Sequence, residues 1–173
     1  MIMPWLSDRE RGWTSIEFTL VGIPMMFILV STFEVVRGMW TYHTLAYSVK
    51  EGTRYASVHG YTCTQAPNTC AVTVAQVVQK VIDSGAGLIS DQLNLTLVSN
   101  TGSISCRPAS TCISPTLDNT VWPQAPGNTA GSPVEIHANY PFQSALSMIR
   151  PGAGSANFGL VNFTASSREA VQY

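Results

Sequence analysis

The sequence predicts an α+β protein: a long N-terminal transmembrane helix followed by a small head in which a second helix packs on an antiparallel sheet. Three observations predict it. Sixteen residues, Phe18 to Phe33, carry no ionisable side chain, an amphipathic helical pattern continues from them to Ala56, and three later segments alternate apolar with polar residues. At 173 residues the chain has the length of one ordinary domain. Only 11% of residues are charged, against about 25% in a typical soluble domain, while serine and threonine together number 35. Nine basic and ten acidic side chains give a formal net charge of -1, which leaves no electrostatic footprint for nucleic acid and no acidic solvating tail.

The uncharged run comes first. At about 1.5 Å per helical residue it spans roughly 24 Å, short of the roughly 30 Å of a bilayer core. Trp13 and Ile16 on one side, with Val35 and Val36 on the other, close the gap. The rival reading is a buried helix of a soluble protein, but no other segment is apolar enough to surround it. A cleaved secretory signal is the second rival. It would need small residues spaced as A-x-A after the run, where the chain instead reads EVVRGMWTYHT.

Beyond the run, Tyr42, Leu45, Ala46, Val49, Thr53 and Ala56 recur at three and four residues, with Thr41, Ser48, Lys50, Glu51 and Arg54 mainly on other faces. A helix from Thr14 to Ala56 would be about 65 Å long, twice a bilayer core, so its second half is expected outside the membrane. Pro24, beside Gly22, predicts a kink. Glu34 and Arg37 at i, i+3 predict a surface ion pair worth a few tenths of a kcal/mol, and Gly60 ends the pattern. Arg9 and Arg11 before the span balance Arg37, Lys50 and Arg54 after it, so positive charge does not orient the helix.

The cysteines do. Cys63 and Cys70, then Cys106 and Cys112, bracket short polar loops that each contain a proline. An even number in such loops reads as two local disulfides worth roughly 2 to 3 kcal/mol each, although four cysteines allow three connectivities. The spacings miss those usual for zinc. Disulfides imply an oxidising compartment, which places the C-terminal part in the periplasm or outside the cell.

Within the head, Val74, Val77, Val78, Val81 and Ile82 share one helical face, with Asn68 or Thr69 as a start signal and Gly85 as a stop. Leu93, Leu95 and Leu97 alternate with polar residues, as do Val134 to Phe142 and Phe158 to Ser166, predicting three half-buried strands. Residues 99 to 133 hold five of the ten prolines and read as a long loop. In it, Trp122 is either a partner's anchor or an aromatic pinning the loop. His43, His59 and His137 are scattered, no H-E-x-x-H, G-x-S-x-G or G-x-x-x-x-G-K occurs, and Gly152-Ala153-Gly154 reads as a turn. No catalytic residue, metal site or cofactor is expected.

The N-terminal segment reads Arg9-Glu10-Arg11-Gly12-Trp13-Thr14-Ser15-Ile16-Glu17-Phe18. Glycine, four residues, glutamate, an aromatic and then an apolar stretch resembles the prepilin peptidase site of type IV pilin-like proteins. Phe33-Glu34-Val35-Val36-Arg37 and Lys50-Glu51-Gly52-Thr53-Arg54-Tyr55-Ala56 narrow the resemblance to the TadE-like pseudopilins of the tight-adherence (Flp) pilus system, over about residues 11 to 58. Departures are Trp13 as the new first residue, Val35-Val36 where the family often has Phe-Gly, and Thr53 for a small apolar residue. The related TadF and TadG groups share the start.

The resemblance implies a cytoplasmic leader, 1–12, removed between Gly12 and Trp13, a transmembrane helix, 13–36, its extramembrane continuation, 37–60, and a periplasmic head, 61–173. It implies as partners the prepilin peptidase, other pilin-like subunits, the Tad assembly machinery and membrane lipid. Cleavage would leave seven basic and eight acidic side chains, an unchanged balance. It would also create an α-amino group, largely protonated near neutral pH, about one helical turn from Glu17. A carboxylate at the edge of lipid calls for such a cation; the plainer reading of Glu17 is a helix-start acid favoured by the macrodipole. The runner-up function is an uncleaved single-pass envelope protein whose disulfide-bonded head binds a ligand or surface.

Overall fold

The computed structural model describes residues 8–60, 72–113, 120–144 and 160–172, with side chains from Ser15 onward. The chain divides into two compact units, Met1–Gly38 and Met39–Tyr173. Helix α1 runs Asp8–Ser57 and continues through Pro24. In the first unit it is apolar on every side. Phe18 is 77% exposed, Leu20 74% and Ile28 65%. A helix apolar all round is stable only when buried by protein or by lipid. Residues Ser15–Ser57 form one helix long and apolar enough to cross a membrane, which fits a single-pass membrane protein.

In the second unit the character of α1 changes. Leu45, Ser48, Val49, Gly52, Thr53, Ala56 and Ser57 are buried, a stripe at the three- and four-residue spacing of a single helix face. Ser48, expected on another face, belongs to this stripe. Its hydroxyl donates to the Leu45 carbonyl at 2.9 Å, which satisfies it without leaving the helix.

Helix α2 spans Val74–Ser84. Its start is Thr73 rather than the expected Asn68 or Thr69, which lie outside the described residues. The Thr73 hydroxyl accepts from the Gln76 N–H at 3.3 Å, and the Thr73 N–H donates to the Gln76 side chain at 3.0 Å. This reciprocal box satisfies two donors that a helix start leaves unpaired. Gly85 ends α2 as expected, its N–H donating to the Ile82 carbonyl. Val74, Val77, Val78 and Val81 are buried, so tertiary packing outweighs valine's modest helix propensity.

The sheet has four antiparallel strands in the order β2-β1-β3-β4: β1 Asn94–Ser99, β2 Gly102–Cys106, β3 Pro133–Gln143 and β4 Leu160–Ala170. Two of the expected strands match β1 and β3. The third begins at Leu160 and extends to Ala170; Phe158 lies outside the described residues. Strand β2 falls where the sequence predicts loop. It pairs with β1 from Ser99↔Gly102 to Leu95↔Cys106 around the two-residue turn Asn100-Thr101, and Gly102 has φ +147, a conformation that side chains disfavour. Alternation along the strands separates the faces. Leu95, Leu97, Val134, Ile136, Ala138 and Tyr140 are buried in the core with Leu93, the α2 valines and the α1 stripe, while Asn94, Thr96, His137 and Asn139 lie on the other face.

Candidate functional site

The residues singled out by the motifs fall into three groups. The first lies at the start of α1. The helix begins at Asp8, so the Gly12–Trp13 peptide is within its first turns. Glu17 follows Trp13 by four residues, about one turn along the helix. Glu17 and Phe18 are exposed. Seventeen residues on, the expected ion pair is present, with Arg37 Nη2 3.5 Å from Glu34 Oε2, and the Glu34 side chain is the more covered of the two.

The second group, Glu51, Gly52, Arg54 and Tyr55, sits where α1 meets the head. Gly52 is buried with α2 and β3 side chains packed directly on it: an added Cβ would overlap Val81 Cγ2 and lie 3.4 Å from Ile136 Cδ1. Glycine here lets α1 reach both α2 and β3. The buried Thr53 hydroxyl is satisfied, donating to the Val49 carbonyl at 2.8 Å and approaching the Ser167 carbonyl of β4 at 3.4 Å. Arg54 is exposed in the last turn of the helix, where its charge complements the carbonyl end of the dipole. The Tyr55 ring lies against His59, ring centres 4.5 Å apart. Glu51 is half-buried.

Sequence patterning missed the ties that lock α1 to the last strand. Ser57 Oγ donates to Glu169 Oε2 at 3.0 Å, and the Gln172 N–H donates to the Ser57 carbonyl at 2.9 Å. Tyr42 meets Phe163 edge-on with ring centres 6.0 Å apart. These partners are more than a hundred residues apart in sequence, so no local signal announces them.

The third group is the cysteines. Cys106 and Cys112 form a disulfide with S–S 2.04 Å and Cα atoms 5.7 Å apart. It joins the end of β2 to a short 3-10 turn, Ala109–Cys112, whose first N–H donates to the Leu93 carbonyl at 2.6 Å. Cys63 and Cys70 lie outside the described residues, as do Gly152, Ala153 and Gly154. Trp122 is buried in the core at 1% exposure, and its backbone N–H donates to the Val72 carbonyl at 2.9 Å. It therefore pins its loop rather than presenting a surface anchor. Among the described residues no three histidine, cysteine or acidic side chains group closely enough to hold a metal ion. His137 instead contacts Glu135, Nε2 to Oε1 3.2 Å.

No curated protein and no solved structure matches the chain. The geometry above thus connects an all-round apolar helix start, an i, i+3 ion pair and a glycine-dependent helix junction within one continuous segment, and that segment, residues 12–54, is matched by the family model described as TadE-like protein.

Proposed function

We propose that this chain is a minor pseudopilin of a Flp/Tad-type type IV pilus, acting without catalysis through helix-to-helix packing. The observation that carries the reading is the coincidence of Gly12, Glu17 and Phe18 with the boundary of the exposed apolar helix, inside the TadE-like match. A prepilin peptidase would cut between Gly12 and Trp13 and release the leader, 1–12. The new amino group, one turn from Glu17, would form a charge pair with the carboxylate of the same or a neighbouring subunit. Such a pair is favoured at the low-dielectric edge of a bilayer, where each charge alone is costly. Residues 13–36 would span the inner membrane and 37–60 continue beyond it. The N-terminus would be cytoplasmic and the head, 61–173, periplasmic or external, where the Cys106–Cys112 disulfide is stable.

A second reading keeps the leader: an uncleaved single-pass envelope protein whose head binds a ligand or surface. It is favoured by the helix running through the Gly12–Trp13 bond from Asp8, since a protease needs that turn opened. Intact-mass spectrometry of the membrane-extracted protein separates the two. An amino terminus at Trp13 is expected; retention of Met1 to Gly12 in cells with an active prepilin peptidase would overturn the pseudopilin reading. Glu17→Ala should leave cleavage in place and reduce co-purification with neighbouring pilin-like subunits. Undiminished co-purification would remove Glu17 from assembly.

A further inference from the structure

The face of the sheet opposite the core carries an unusual surface. Register alignment across β1, β3 and β4 gives two polar rows, Asn94-Asn139-Thr164 and Thr96-His137-Ser166. Opposite side chains in such rows are about 5 Å apart and successive rows about 7 Å apart. Together with Arg107 they line a concavity of about 490 Å³, within the range of small-molecule sites but polar where those are mostly apolar. Among the described residues, Asn94, Thr96, Arg107, Asn139, Thr164 and Ser166 make no side-chain hydrogen bond. Their donors and acceptors face solvent unspent.

Folding does not account for these residue types. Asparagine is depleted in strands, yet Asn94 and Asn139 stand directly opposite each other in the two central strands. Threonine or a long charged side chain would solvate the face with better strand propensity. Local choices that run against the fold are expected where a site is built. Arg107 is held beside this grid from both sides: it follows Cys106, which pairs with Leu95, and the Cys106–Cys112 disulfide closes the turn behind it. Outward-facing charges on the sheet are Arg107 and Arg168 against the carboxylate of Glu135, already engaged by His137.

We propose that this face binds a carboxylated saccharide. Amides and hydroxyls donate and accept alike, so the grid suits a ligand dense in hydroxyl groups. The apolar lining is limited to the small side chains of Ala138 and Ala165, with no large aliphatic or aromatic residue, which disfavours hydrophobic ligands. The cation supplies the remaining specificity, because the planar Arg107 guanidinium matches a carboxylate in two parallel hydrogen bonds. The inference does not depend on cleavage or on pilus assembly.

The test uses the detergent-solubilised full chain titrated with trigalacturonate, followed by ligand-observed NMR, with neutral galactotriose and sodium acetate as comparison ligands. Saturable trigalacturonate binding is expected, weakened about tenfold in Arg107→Gln, the scale of one charged hydrogen-bonded contact. Galactotriose should bind at least about tenfold more weakly by the same reasoning, and acetate should not compete at equal concentration. Asn94→Val/Asn139→Val removes both amides while raising strand propensity. It should abolish binding and leave the urea midpoint unchanged or higher. No saturable binding, equal affinity for galactotriose, competition by acetate, or unchanged affinity in both variants would each overturn the proposal.

Discussion

Gly52→Ala is the sharpest test of how the long helix joins the head. On helix propensity alone the substitution should stabilise, by about 1 kcal/mol. The structure predicts the opposite sign. The new Cβ would overlap Val81 Cγ2 and press on Ile136 Cδ1 at 3.4 Å. Val81 is fully buried and helical, and a β-branched side chain in a helix has one strongly preferred rotamer, so it does not swing aside. Overpacking costs about 1 to 3 kcal/mol, and overlap with a neighbour that cannot turn away puts this site in the upper half, about 2 to 3 kcal/mol, leaving a net loss of about 1 to 2 kcal/mol after the propensity gain. With a urea slope of about 2 kcal/mol per molar, the middle of the usual range, the midpoint should fall by roughly 0.5 to 1 M. The assay is urea unfolding in mild detergent followed by tryptophan fluorescence, to which the buried Trp122 contributes. Val81→Ala alone should cost about 2 kcal/mol through lost burial and the space left behind. The added Cβ at Gly52 fills part of that space, so the double variant should lose at least about 1 kcal/mol less than the sum. A Gly52→Ala midpoint at or above wild type, or strict additivity with Val81→Ala, would refute the close approach. Gly22→Ala serves as the contrast, because its nearest neighbour outside the local backbone, Phe18 Cε1, lies at an ordinary 3.9 Å.

Other perturbations probe separate ties. Replacing Cys106 and Cys112 by serine should lower stability by about 2 kcal/mol in the chain-entropy picture for so short a loop; in a background carrying Cys63→Ser and Cys70→Ser, added reductant should then shift the urea midpoint of the protein that keeps Cys106 and Cys112 but not that of the protein that lacks them. Thr73→Ala removes the cap of α2 and should cost about 1 kcal/mol, measurable by the same unfolding curve, while Thr69→Ala should cost less than half as much. Ser57→Ala leaves the half-buried Glu169 carboxylate without its hydroxyl donor and should cost about 1 to 3 kcal/mol, with faster amide exchange at Gln172 as the local signature. Glu169→Gln, which keeps an acceptor for Ser57, should lose less.

Legibility in the sequence followed the range of the forces involved. Helix α2 and strands β1 and β3 were readable because each buries one face, and burial imposes a period of 3.6 or 2 on its own residues. Strand β2 was hidden by its shortness, by the two small outward serines Ser103 and Ser105, and by the prolines around it. Its local signal was the turn Asn100-Thr101-Gly102 after a strand, which is weak without knowledge of the pairing. Ser48 was misplaced because a hydroxyl reads as polar until a helix carbonyl is seen to satisfy it. The Cys106–Cys112 link was legible as one local option; its choice depended on the turn that brings the two Cα atoms to 5.7 Å.

By itself, the sequence determined the one helix apolar enough to enter a bilayer, the motif at its start, and the helix-plus-sheet plan, since periodicity and exclusion of charge act between near neighbours. Only the tertiary structure decided why residue 52 is glycine, how Ser57 and Glu169 tie α1 to the last strand, and which polar residues gather on the outer face of the sheet. Those facts depend on contacts between segments far apart in the chain, and no local pattern encodes a distance across a fold.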